Sequence, residues 1–129
     1  MLVAIPAVLA GLVHVYIFVI ESLRFMTPST MRVFGITSIE DAQTMRPWAF
    51  NQGFYNLFLA VIAVMGAVAS VAATENTRAD AIGRTLIWTA VSCMLAAAVV
   101  LVASDHSKVR GALVRGTFPL LTIVALLVA

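Results

Sequence analysis

Four long apolar runs, at residues 2–23, 48–73, 83–103 and 111–128, constrain this chain more than any motif in it. Each meets or comes close to the roughly 20 residues a helix needs to cross the hydrocarbon core of a bilayer. Lipid offers backbone N–H and C=O groups no partner, so a spanning segment of this kind must satisfy them internally, as a helix does. The expected fold is all-α: residues 1–129 form one domain, a membrane-embedded antiparallel four-helix bundle with a short cytoplasmic helix in the first loop. Composition agrees. Hydrophobic residues make up 62% of the chain and charged residues 11%, whereas soluble domains are about 25% charged. The first run has no Lys or Arg ahead of it and contains His14. It lacks the charged start of a signal peptide, so it is expected to be a retained helix.

Charge is confined almost entirely to the connections. Arg24, Arg32, Arg46, Lys108, Arg110 and Arg115 fall on the side of loops one and three, and only Arg78 and Arg84 on the other. By the positive-inside rule the first side faces the cytoplasm and both termini face outward. The net charge of +2 comes with no basic cluster interleaved with aromatics, so nucleic acid is not an expected partner. Cys93 is the only cysteine, which excludes an intramolecular disulfide and a thiol pair.

The polar stretch Asn51-Gln52-Gly53-Phe54-Tyr55-Asn56 stands at the mouth of the second span. Burying an unpartnered amide costs about 1–3 kcal/mol, so these groups need something to meet. Asn51 and Tyr55 are four apart, as are Gln52 and Asn56, which gives two adjacent rows on one helix. Below them Ala60, Ala63, Ala67 and Ser70 form a small-residue stripe suited to close helix contact. In the first span Gly11, His14, Phe18 and Glu21 share a face, with Glu21 about 10 Å beyond His14 at 1.5 Å per residue. Counted inward from the shared interface, Glu21 falls level with Asn51 and Gln52, and His14 with Asn56.

The remaining signals are local. Thr27-Pro28-Ser29 should break the first helix, and Thr37-Ser38-Ile39-Glu40 fits a capping box. A short helix over 40–45 should then end before Pro47. Trp48 and Phe50 sit where aromatic rings favour the membrane interface. The third span offers a small, weakly polar face of Thr85, Thr89, Ser92, Cys93, Ala96 and Ala97. In the fourth, Pro119 is expected to kink or delay the helix. No internal repeat or low-complexity segment is present.

Three stretches, in order and at matching spacing, resemble the DUF1304 family of small bacterial four-helix membrane proteins. They are His14-Val15-Tyr16-Ile17-Phe18-Val19-Ile20-Glu21; Thr27-Pro28 with Arg32-Val33-Phe34-Gly35-Ile36-Thr37; and Asn51 through Ala60. The second half matches more weakly. A charged Ala103–Arg110 loop replaces the family's short glycine-rich joint, and Arg115 stands where the family's Gln-Gly-x-Pro motif has its amide. The resemblance implies a bacterial cytoplasmic (inner) membrane and makes His14, Glu21, Asn51, Gln52, Tyr55 and Asn56 part of the family's pattern. The family carries no assigned function.

These six residues are the candidate ligand-binding set. A structural hydrogen-bond cluster would also account for His14 and Glu21. Such contacts, however, average only about 0.6 kcal/mol in one membrane protein, and ionisable residues inside a membrane are by default functional candidates. Four polar side chains on two rows exceed what one partner helix offers, which favours a pocket walled by Phe54, Phe58 and Trp48. Lipid contact is the simpler explanation for Phe54 and Trp48 taken singly. A metal site is poorly supported, because His14 and Glu21 are too far apart and no second His or Cys shares their depth. No cofactor is indicated. Nucleophilic catalysis lacks a serine or cysteine beside a base, and an enzyme is the least supported class. The leading expectation is a membrane protein that binds an amphipathic small molecule or lipid between the first two spans. A proton-coupled small transporter using His14 is one alternative. An accessory subunit of a larger complex, docking by its small-residue faces, is another. Self-association is compatible with all three.

Overall fold

The computed structural model describes all 129 residues, and every regular element in it is helical. Helix α1 spans Ala4–Phe18 and ends in a π-helical turn, Val19–Leu23. A short α2, Pro28–Phe34, lies in the first loop. Helices α3 (Ile39–Ala72), α4 (Arg78–Ser104) and α5 (Val109–Val128) complete the chain, with a 3₁₀ turn at His106–Lys108 between the last two. Helix α1 with its π turn, α3, α4, and α5 with its 3₁₀ turn are each long and apolar enough to cross a membrane. The four pack in a closed ring, α1 against α3, α3 against α4, α4 against α5, and α5 back against α1.

The surface of this ring is as telling as its interior. Only 27 of 129 residues are buried, while Leu12, Val61, Val100 and Leu127 point outward, each more than 45% exposed. An apolar exterior of this extent belongs to a protein whose solvent is lipid. The protein is a multi-pass membrane protein, and its interior is built mainly from small residues. Ala7, Ala10, Ala63, Ala67 and Ala90 are buried in one cluster with Ile87, Val91 and Met94. Without a hydrophobic drive between helices in lipid, close van der Waals packing must hold them. Glycine sets the tightest crossing. A Cβ on Gly83 would lie 2.6 Å from the Ser70 backbone nitrogen, and one on Gly66 would lie 2.9 Å from the Gly83 carbonyl oxygen.

Local structure departs from the sequence expectations in five places. The short helix expected over 40–45 does not end before Pro47; it is the start of α3, which runs 34 residues through the proline. Both Pro47 and Gln43, whose carbonyl loses its partner, are exposed, so solvent can satisfy the freed group. At 1.5 Å per residue α3 is about 51 Å long, and its first turns project beyond a core about 30 Å thick. Its cap is one residue later than the expected box: the Asp41 N–H donates to Ser38 Oγ at 3.0 Å.

The short helix of loop one is instead α2. Thr27 caps it and Pro28 occupies its first position, where a missing N–H costs nothing. Gly35, at φ 71°, closes it in the left-handed conformation, with Ile36 N–H bonded to Met31 O at 2.8 Å and Gly35 N–H to Arg32 O at 3.1 Å. These paired bonds form a Schellman motif. Lys108 Nζ donates to Phe34 O at 3.1 Å, a cation at a helix C-terminus, and this ties loop three to loop one.

Helix α4 begins at Arg78 rather than 83, because Thr77 caps it through the Asp80 N–H and polar residues carry the helix past the apolar run. Helix α5 is continuous through Pro119 and is not delayed by it. Spanning helices tolerate proline where neighbouring groups re-satisfy the backbone.

Candidate functional site

The polar groups of α1, α3 and α5 converge at the end of the bundle where loops one and three lie. Glu21 sits on the π-helical turn, closed by a wide bond from Arg24 N–H to Val19 O at 2.9 Å. Such turns recur at functional positions. Both oxygens of its buried carboxylate are engaged. Asn56 Nδ2 donates to Oε2 at 2.9 Å, and an Arg115 guanidinium nitrogen donates to Oε1 at 3.2 Å. The second Asn56 amide proton goes to Gln52 O at 2.9 Å. One carboxylate thus joins three helices, and its charge is balanced by Arg115 in the chain's one salt bridge.

Beside this triad α1 and α3 are joined again. Ser22 Oγ donates to Phe50 O at 2.8 Å, which is possible because residue 53 is glycine. A Cβ there would fall on the Ser22 hydroxyl. Aromatic rings continue the contact: Phe18 meets Phe54 edge-on at 5.1 Å, and Phe54 lies between Phe50 at 5.0 Å and Phe58 at 6.2 Å.

His14 is fully buried two turns further along α1. Its Nδ1 lies 2.9 Å from Ala10 O, and a carbonyl oxygen only accepts, so Nδ1 carries the proton. Nε2 finds no partner among the protein's own groups. A buried acceptor left alone costs about 1–3 kcal/mol.

The six residues singled out from sequence therefore divide. Glu21 and Asn56 meet directly, and His14 is buried on the same helix face as Glu21. Asn51, Gln52 and Tyr55 are exposed, and their side chains make no hydrogen bond within the chain. Helical geometry explains two of the three: at about 100° per residue, Tyr55 is turned about 100° from Asn56 and Asn51 about 140°, so they cannot share its inward face. Gln52, about 40° from Asn56, is exposed all the same. Asn51 and Tyr55, but not Gln52, line an aromatic groove of about 270 Å³ on α3 together with Phe50, Phe54 and Phe58. Trp48, expected as a wall, is 77% exposed and stands outside it, whereas Phe54 and Phe58 do line it.

Arg115 was missed as a site residue because it read as a topology charge. The signal was present: a glutamate inside a membrane calls for a counter-charge, and Arg115 lies inside the fourth span.

A larger cavity of about 790 Å³ opens at the opposite end, among Ser70, Glu75, Thr77, Asp80 and Arg84. Its polar groups are largely spent on the fold, with Ser70 Oγ donating to Asp80 at 3.1 Å and Arg84 to Leu126 O at 3.4 Å. His106 is exposed in the loop between α4 and α5. Beside it, the Ser107 hydroxyl and N–H hold the Asp105 carboxyl below its usual 3.8. No three side chains of His, Cys, Asp or Glu converge anywhere to hold a metal.

Comparison with curated proteins and with solved structures returns no match. The family model described as a protein of unknown function, DUF1304, matches residues 8–127. With that match spanning nearly the whole chain, and with its all-helical, four-span architecture, this protein belongs to the DUF1304 family.

Proposed function

We propose that this protein binds an amphipathic small molecule or lipid on the outward face of α3, beside its contact with α1. The observation that carries the reading is the unspent hydrogen-bonding capacity of Asn51 and Tyr55 beside the aromatic groove. Rings of Phe50, Phe54 and Phe58 suit an apolar body, and an amide and a phenol at one side suit a polar head. A few placed polar groups in an aromatic-lined concavity are the usual make-up of a small-molecule site. Exposed Gln52 lies on the adjacent row, within reach of a larger headgroup. Behind the groove, Glu21, Asn56 and Arg115 lock the three helices and hold this surface in place. The ligand enters laterally from the leaflet on the side of loops one and three. The six-to-two excess of basic residues supports a cytoplasmic location for that side, in a bacterial inner membrane, with the termini outside.

The test is native mass spectrometry of the protein extracted from its own membrane, beside an Asn51→Ala, Tyr55→Phe double variant. Both positions are exposed, so the fold should survive. A discrete adduct on the wild type that the variant loses is the expected result. Bare protein, or equal adducts on both, overturns the reading.

A further inference from the structure

His14 Nε2 is a fully buried acceptor facing no donor of its own protein, and α5 supplies a second acceptor at a similar depth. The Glu21–Arg115 contact fixes the register of antiparallel α1 and α5. Seven residues back from Glu21 is His14, and seven residues on from Arg115 is Thr122. Each step is about two helical turns, somewhat shorter on α1 where Val19–Leu23 is π-helical, so His14 and Thr122 come to similar depths on two helices that pack together. Thr122 is also fully buried. Each has spent its only proton on its own helix, His14 Nδ1–H on Ala10 O at 2.9 Å and the Thr122 hydroxyl on Phe118 O at 2.7 Å. What remains is two lone-pair acceptors.

We propose that His14 Nε2 and Thr122 Oγ1 form an internal water site between α1 and α5. The guest must be small and must donate two hydrogen bonds, because both protein groups only accept. It must also be neutral. No carboxylate at this level balances a cation, since Glu21 is two turns away and already paired with Arg115. Water meets all three conditions, and buried waters commonly serve polar groups left unsatisfied by the protein. The site extends the polar seam of Glu21, Asn56 and Arg115 to mid-span. It ends there, because Ala7, Ala10, Ala63, Ala67 and Ile87 fill the next layer and separate it from the outer cavity. This inference is independent of the ligand reading.

The experiment is solid-state NMR of histidine-¹⁵N-labelled protein in lipid bilayers, following magnetisation transfer from water protons to Nε2. Exposed His106 serves as the positive control. Wild-type His14 should receive transfer, the isosteric Thr122→Val should lose it, and Thr122→Ser, which keeps the oxygen, should retain it. No transfer in the wild type overturns the site, whatever the variants do. Transfer that persists in Thr122→Val overturns the shared geometry. A pH gradient should last as long in vesicles carrying the protein as in empty ones; faster collapse overturns the closed end.

Discussion

At the scale of single residues, the Glu21 carboxylate bears the most consequence. Removing one member of a buried ion pair leaves the other charged and unpaired, which costs about 3–5 kcal/mol, while removing both is far milder. Glu21→Gln and Arg115→Gln should each lower stability in bilayer-mimetic unfolding, and the double variant should recover most of the loss. Losses that simply add would show that the two side chains do not act as a pair. Gly53 is the second such position. A methyl there displaces the Ser22 hydroxyl from Phe50 O, and overpacking of this kind costs about 1–3 kcal/mol. Gly53→Ala should destabilise by that order, and adding Ser22→Ala should relieve part of it. An unchanged Gly53→Ala melting profile would contradict the close α1–α3 approach.

Between elements, the decisive contact is the backbone crossing of α3 and α4. Gly83 has no room for a Cβ, whereas one on Gly111 would meet only Leu101 Cδ2 at 3.7 Å, an ordinary van der Waals contact. Gly83→Ala should therefore cost about 1–3 kcal/mol, and Gly111→Ala should be neutral or slightly stabilising through helix propensity. Comparable effects on unfolding at both positions would mean that α3 and α4 are not packed backbone to backbone. Both ends of α2 rest on single side chains, Thr27 and Gly35, yet no helix was expected between them, because seven residues are too few to show a helical period. Continuity through Pro47 was not readable either, because whether proline stops a helix depends on whether the carbonyl it orphans reaches solvent.

For the whole molecule, the arrangement to test is its orientation. With Cys93 replaced by serine, His106→Cys and Glu75→Cys lie in connections at opposite ends of the bundle. A membrane-impermeant thiol reagent applied outside intact cells should label Glu75→Cys and not His106→Cys. The reverse pattern would invert the proposed topology and move the aromatic groove of α3 to the other leaflet.

The sequence by itself determined the four spans and the class of fold, because spans follow from local composition. It brought the polar groups of the first two spans to one end of the bundle but set Glu21 level with Asn51 and Gln52 and His14 with Asn56, whereas Glu21 bonds Asn56. Only the tertiary structure decided which faces turn inward. In water an amphipathic stripe marks the buried side of a helix, but lipid is as apolar as a protein core, so these helices are apolar nearly all round. Hence Asn51 and Tyr55 could not be told from Asn56 by pattern alone, though they face outward. The ring order that brings Arg115 to Glu21, 94 residues away in the chain, is likewise fixed by where small residues let helices approach.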